Sequence, residues 1–385
     1  MSFSLFKKDS LLLPAFSRPY ADELFSSWLA QLSYDHGLTL PDFCKITWSV
    51  PVWHNRDIDR FVDDEIIHQL ALKTNAGVEE VRNTTLMSYQ YKLFEKLSLA
   101  PPDKWPLMKK GFYNGKMGLM FCPKCLSTTN SAIYLKKYWR LALSFLCVEC
   151  GNYLEECCPH CKEQISFYDK VINKPESGSS CEFIITCHHC NQRITECDAI
   201  PAPNQLVCLQ RELYQIQEEG FNKQALYPIY YFKMLYQIAS LLLISETKLN
   251  RQWRNRLIPF IEYIFEHHVQ SEFIPYGSEK RIQYLPVHQR TIILQMAHWL
   301  LGNWPKRFLQ LANLFGLQSR DILSDFNDAP FWFWEPVYFD LVPPPFKQTD
   351  LEMPFGLKSI FEKPRSLKLI REKKSQVKRK YLGWW

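Results

Sequence analysis

Four Cys-x-x-Cys pairs are the residues of this sequence best suited to chemistry. They are Cys122/Cys125, Cys147/Cys150, Cys158/Cys161 and Cys187/Cys190, all within 69 of the chain's 385 residues. Two-residue spacing lets both sulfurs of a tight turn face one ion, and two such turns complete the tetrahedral sulfur shell that zinc favours. The chain has 13 cysteines, an odd number in paired spacing, which argues against a disulfide framework. Joining the first two turns leaves a 21-residue arm, and joining the last two leaves a 25-residue arm. Both arms suit a zinc ribbon. The competing choice, joining the two middle turns, leaves seven residues between them and forces the outer turns together. The expected cofactor is therefore zinc, two structural ions in tandem ribbons. Cys122, Cys125, Cys147 and Cys150 would hold one, and Cys158, Cys161, Cys187 and Cys190 the other. Cys157 adjoins Cys158 and could take its place as a ligand.

Eight thiolates on two ions close both sites to water and substrate, so neither is expected to catalyse anything. Four thiolates around one divalent ion also leave a net charge of about −2 per site. A redox role for the pairs lacks the βαβ setting that thioredoxin-like chemistry uses. The sequence holds no GxxxxGK[ST], no GxGxxG and no HExxH. Glu266, His267 and His268 are adjacent, so on a helix they point to different faces and make a poor metal trio. The expectation is a chain that is not an enzyme.

The elements that must hold these cysteines are expected to be helices. Hydrophobic residues make up 46% and charged residues 22%, enough apolar material for packed cores. Glycine is scarce at 13 residues against 24 prolines, which favours helices with stiff connections. No run reaches the 18 or so apolar residues of a membrane span. The segment after Lys7 and Lys8 is too short for a signal-peptide core. The expected location is cytoplasmic and nucleoid-associated, with no membrane partner.

The fold class expected is mainly α with small β, in four segments. Residues 1–115 form an N-terminal helical domain, 116–200 the tandem zinc-ribbon region, 201–328 a C-terminal helical domain, and 329–385 an aromatic, proline-rich segment with a basic tail. Asp22 to His36 carries Leu24, Phe25, Trp28, Leu29 and Leu32 on one stripe at helical spacing. Asp63 to Asn75, a break at Ala76-Gly77 and Val78 to Leu86 outline a helix-turn-helix. Its second helix carries Glu79 and Glu80 against Arg82, which suits packing or protein docking better than base readout. Further helices are expected over Asn204 to Glu219, Leu226 to Ser245, Arg251 to His268 and Leu285 to Leu301. Phe308 to Leu323 again reads as helix, Gly316, helix, and Lys306, Arg307 and Arg320 make it a candidate nucleic-acid face.

Charge is concentrated at the end. Residues Leu357 to Trp385 hold ten Lys/Arg against two acids, a net +8, so the remainder of a chain of formal charge +6 carries −2. Lys373, Lys374, Lys378, Arg379 and Lys380 are candidate phosphate contacts, and a solvated charged end is the alternative.

In this setting the chain resembles the TniQ family, which includes the TnsD proteins of transposons. The stretch Arg18-Pro19-Tyr20-Ala21-Asp22-Glu23-Leu24-Phe25-Ser26-Ser27-Trp28-Leu29 is similar to the family's opening helix. Cys122-Pro123-Lys124-Cys125-Leu126 follows, then Tyr138-Trp139-Arg140 as an aromatic-Arg strand, Cys147, Leu154 and Cys158-Pro159-His160-Cys161. Trp304-Pro305 with Phe308 is similar to a Trp-Pro element of the C-terminal half. Many members have His as the fourth ligand of the first site, where this chain has Cys150; both suit zinc. The resemblance implies target-site selection in DNA transposition by an adaptor that recruits an AAA+ ATPase regulator and, indirectly, the transposase. Some members bind an attachment sequence directly through helix-turn-helix domains; others ride on a CRISPR RNA-guided effector complex, often as a homodimer. A nearly neutral body with one basic tail fits the guided mode, with direct attachment-site reading as the alternative and a zinc-ribbon transcription regulator as a third.

Overall fold

Helices dominate the computed structural model, which describes residues 12–48, 57–60, 62–95, 118–128, 132–167, 180–219, 227–243, 251–268, 281–323 and 329–341. Among the described residues the strand content is one two-stranded antiparallel hairpin and a few isolated bridges. The fold is thus mainly α with small β, and it contains two clusters of four cysteines.

Helix α1 spans Phe25–Asp35, and its residues from Phe25 to Ser33 are all buried. It starts later than the apolar stripe alone predicts. The segment ahead of it is held against the cysteine region instead: Leu24 N–H donates to the Leu135 carbonyl at 2.8 Å, and Lys137 N–H to that of Asp22 at 2.7 Å. Gly37, at φ 66°, ends the helix in the left-handed conformation that favours glycine. Helix α2, Leu40–Trp48, opens on Thr39, whose Oγ1 accepts from Asp42 N–H and donates to Asp42 Oδ2. Phe43, Cys44 and Trp48 of α2 are buried, whereas Ile46 is exposed.

Helix α3, Asp64–Thr74, and α4, Val78–Thr84, form the expected helix-turn-helix outline. Ile66, Ile67, Leu70 and Ala71 line the inner face of α3. Asn75, at φ 52°, takes the turn, and the Glu80 carboxylate reaches back to accept the Gly77 N–H at 2.7 Å. Glu79 and Glu80 lie exposed on α4.

The cysteine region holds short elements. Helix α5 is Pro123–Ser127, strand β1 is Leu146–Cys147, β2 is Asn152–Tyr153 and α6 is Ser180–Ile185. Leu146 pairs with Tyr153 and Cys147 with Asn152. Residues Lys137–Arg140 make one 3-10 turn, not the aromatic-Arg strand suggested by the family resemblance. Trp139 and Arg140 are neighbours and both buried, which the two-residue alternation of a half-buried strand does not permit. Arg140 ion-pairs with Asp57 at 2.6 Å and lies 3.5 Å from Asp59, which in turn accepts from Ser26 N–H and Oγ.

The C-terminal half is built from α7 (Asn204–Glu219), α8 (Pro228–Leu242), α9 (Arg251–His268), α10 (Val287–Leu301), α11 (Lys306–Leu314), α12 (Ser319–Leu323) and α13 (Phe331–Asp340). The chain divides into two compact units, residues 1–249 with 261–302 and residues 250–260 with 303–385, so α9 contributes to both. In the first unit α8 packs on α7 and α10, and Tyr231 of α8 hydrogen-bonds His298 of α10 at 2.7 Å. In the second unit Trp304 stacks on Phe333 at 4.6 Å, beside Phe308. Burying aromatic rings of this size is worth about 1.5–3 kcal/mol each. Helix α13 falls where the sequence reads as an irregular aromatic, proline-rich run. Pro330 caps it from outside, and Pro336 leaves the Trp332 carbonyl without its helical donor, a place taken by Trp304 Nε1 at 3.1 Å. The Pro343-Pro344-Pro345 run lies outside the described residues.

Candidate metal centre

The cysteines come together in two sets of four. The sulfurs of Cys122, Cys125, Cys147 and Cys150 all lie within 4.8 Å of one another, as do those of Cys158, Cys161, Cys187 and Cys190. Cys125 Sγ is 3.5 Å from Cys147 Sγ and 3.4 Å from Cys150 Sγ, and both Cys158–Cys190 and Cys161–Cys187 are 3.7 Å. Sulfurs about 2.3 Å from a common ion sit about 3.8 Å apart at the corners of a tetrahedron. Each set could therefore hold one metal ion. Cys157 stands outside the second set, where residue 157 bridges to Gln164 across the base of the turn.

Three of the four turns share one backbone design. The residue after the second cysteine is left-handed: Gly151 at φ 69°, Lys162 at 62° and Asn191 at 56°. Its N–H donates to the carbonyl of the first cysteine, Gly151 to Cys147 at 2.8 Å, Lys162 to Cys158 at 3.0 Å and Asn191 to Cys187 at 3.1 Å. The same curl aims backbone amides at the sulfurs. His189 N–H donates to Cys187 Sγ at 3.4 Å, and the amides of residues 149 and 150 face Cys147. Such donors stabilise the thiolate form that binds metal. The first turn is built differently: Pro123 starts α5 directly after Cys122, and Leu126 N–H donates to the Cys122 carbonyl at 3.1 Å.

Sulfurs this close compete for protons. Hydrogen bonds from Cys122 and Cys125 pull the Cys147 thiol far down, while the hydrogen bond to Cys122, followed by that to Cys147, pushes Cys125 far up. A divalent ion held by the set would take the place of those protons. Beside the first set, Lys136 pairs with Glu149 and lies 3.4 Å from Asp22. Burial pulls this amine down, yet the bond to Glu149 and the charge of Asp22 outweigh it, so it stays cationic. The sequence signalled none of this, because Lys136, Asp22 and Glu149 are far apart in the chain.

Helix α7 closes the first set from behind. The buried Gln210 side chain accepts from the N–H groups of Phe145 at 2.8 Å and Leu146 at 3.4 Å, and donates to the Leu143 carbonyl at 3.3 Å. Arg290 of α10 is fully buried and binds Glu156 at 2.9 Å, two residues before Cys158.

Residues 14–151 match the model of the TniQ family. The chain carries a TniQ domain. This TniQ domain contains all four cysteines of the first set and none of the second. Its opening Arg18-to-Leu29 stretch buries Glu23, which accepts from Tyr20 N–H, Ser27 Oγ and Gln31 Nε2. No curated protein matches the chain.

The candidate nucleic-acid contacts fall outside residues 14–151 in the sequence. Lys306 and Arg307 open α11, with Lys306 exposed and Arg307 half-buried. Arg320 is exposed on α12 and 3.9 Å from Asp321. Lys373, Lys374, Lys378, Arg379 and Lys380 fall outside the described residues. No helix among the described residues is long and apolar enough to cross a membrane.

Proposed function

We propose that the chain is a non-catalytic target-selection adaptor of DNA transposition, joining a target-bound CRISPR RNA-guided complex to an AAA+ regulator and, through it, to the transposase. The observation that carries this reading is the TniQ domain, a domain of transposition-associated adaptor or DNA-binding roles. Both cysteine sets hold zinc, which favours tetrahedral sulfur, and the ions are structural. The eight ligands are Cys122, Cys125, Cys147, Cys150, Cys158, Cys161, Cys187 and Cys190. The chain works in the cytoplasm on nucleoid DNA, as a homodimer.

Charge favours the guided mode over direct reading. The exposed face of α4 carries Glu79 and Glu80, and its Arg82 is already engaged by Asp64 at 2.8 Å and Glu79 at 3.4 Å. A helix that reads DNA needs cations free to meet phosphates. The test is binding of the purified chain to duplex DNA across a salt series with random-sequence competitor. Weak, competitor-sensitive binding, with capture of the chain by the guided complex, supports the proposal. Tight binding that resists competitor supports direct attachment-site reading, which the exposed Lys306 and Arg320 on α11 and α12 favour. A gene standing without transposase and ATPase neighbours would instead support a zinc-ribbon transcription regulator.

A further inference from the structure

A strap of residues 12–20 precedes α1. Leu13 N–H donates to the Lys73 carbonyl at the end of α3 at 2.9 Å, and Leu13 is buried. Four residues on, the Ser17 carbonyl accepts from Trp28 Nε1 of α1 at 3.0 Å. At its far end Tyr20 N–H donates to Glu23 at 3.1 Å. The strap is therefore tied down at three points, and Phe16 to Tyr20 contain no turn or helix. Pro19 also disfavours helical backbone at Arg18 and biases it to an extended form. In an extended chain, alternate side chains share a side. Phe16, Arg18 and Tyr20 are that set, and all three are exposed, Phe16 at 41% and Tyr20 at 47%.

Each of the three is unspent in a different way. Arg18 makes no ion pair or hydrogen bond among the described residues. The Tyr20 ring is stacked on Tyr134 at 4.6 Å and 12°, which orients it, and Tyr134 Oη is fixed by Asp22 at 2.6 Å. Phe16 contacts no other aromatic ring among the described residues. The result is an exposed, unpaired cation between two exposed aromatic side chains on an anchored backbone, at two-residue spacing.

We propose that this edge is a docking surface for an extended segment of a partner protein, one that carries an acidic residue flanked by apolar residues two positions away on either side. Charge complementarity selects that occupant. Arg18 has no carboxylate to neutralise it, and an acid on the partner supplies one. The chain's own basic tail carries the wrong sign. Nucleic acid is disfavoured as well, because tracking a phosphate backbone takes several cations and this edge has one, with Asp22 close by. Anchoring at three points means that the strap is ordered before the partner arrives, which lowers the entropy lost on docking. Phe16, Arg18 and Tyr20 belong to neither cysteine set, and the peptide readout is independent of the DNA-binding experiment above.

The probe is a fluorescein-labelled nine-residue peptide with apolar, acidic and apolar side chains at alternating central positions, titrated with the full chain and followed by anisotropy. Arg18→Glu should weaken its binding at least tenfold and should strengthen, by a similar factor, a matched peptide with lysine in place of the acid. Tyr20→Ser should weaken both peptides. Phe16 and Arg18 are exposed, so the thermal midpoints of their variants should equal that of the parent and exclude misfolding as the cause, while Tyr20→Ser, which also loses the stack on Tyr134, should lower its midpoint only slightly. Indifference of both peptides to Arg18→Glu would overturn the proposal. So would displacement of the peptide by a single-stranded oligonucleotide, or a dimer that Phe16→Ser dissociates while the peptide fails to bind.

Discussion

Gly151, Lys162 and Asn191 occupy the same place in three turns, but only glycine adopts the left-handed backbone without penalty. A Cβ added at Gly151 meets nothing closer than Val207 at 3.9 Å, so Gly151→Ala is disfavoured by the backbone and not by crowding. Gly151→Ala should lower stability by about 1 kcal/mol, and Lys162→Gly should raise it by up to about 1 kcal/mol in the metal-loaded protein. Urea unfolding midpoints check both; a destabilised Lys162→Gly would mean that the side chain contributes more than its backbone costs. Glu23 sets a pH effect of definite sign. Burial raises its carboxyl from 4.5 to about 8, against the lowering pull of Tyr20 N–H and Ser27. The fold therefore holds this proton more tightly than the unfolded chain does. The resulting stabilisation is complete below pH 4.5, falls as pH rises, and is gone above about 8. Glu23→Gln should flatten the stability profile between those values, measured by denaturant unfolding at stepped pH. An unchanged slope would show that Glu23 is ionised in the fold.

At the scale of elements, the two cysteine sets depend on different surroundings. Cys125→Ser should leave one zinc per chain by elemental analysis and lower the melting temperature of the helices around α1. Cys190→Ser should also remove one zinc and loosen α6 where Phe183 meets Tyr34 of α1 at 5.1 Å, yet leave most helical signal intact, because the long helices α1, α7 and α8 lie outside residues 153–200. Equal loss of structure in both variants would contradict this difference. Helix α7 matters as much as the ligands do. The family match stops at residue 151, but the hydrogen bonds do not: Ala202 N–H donates to the Gly151 carbonyl at 2.8 Å, and Gln210 satisfies two buried amides of the first arm. Cutting the chain to residues 14–151 leaves those groups unpaired, at about 1–3 kcal/mol each. Such a fragment should bind zinc more weakly than a fragment extended through Glu219, by competition with a chelating dye.

Over the whole molecule, legibility followed distance along the chain. Cysteine pairs two residues apart and apolar stripes three and four apart are local signals, and α7 and α9 begin and end where those stripes predict. Lys136 beside Glu149, Gln210 under the first arm and Arg290 against Glu156 join residues brought together only by folding, so no local pattern announced them. Helix α13 was hidden by Pro336, whose residue type signals a break, while the carbonyl it leaves unserved is satisfied by Trp304, 32 residues earlier in the chain. The basic tail is a matter of charge alone. Removing residues 357–385 should reduce the dependence of nucleic-acid or complex binding on salt, since each phosphate contact contributes to that slope. An unchanged slope would make the tail a bystander.

The second cysteine set leaves the fold and returns to it at nearly one point. Asn152 bridges to Pro201, and Tyr153 N–H donates to the Ile200 carbonyl at 2.9 Å, so a strand's width separates the place where the excursion starts from the place where it ends. A segment with adjoining ends behaves as a cassette: it can be lengthened, shortened or exchanged without redrawing the path of its host. The freedom is bounded by the lobe's own ties to its host: α6 rests on α1, with Phe183 against Tyr34 at 5.1 Å, and Glu156 is held by Arg290, so variation is expected between those ties and not at them.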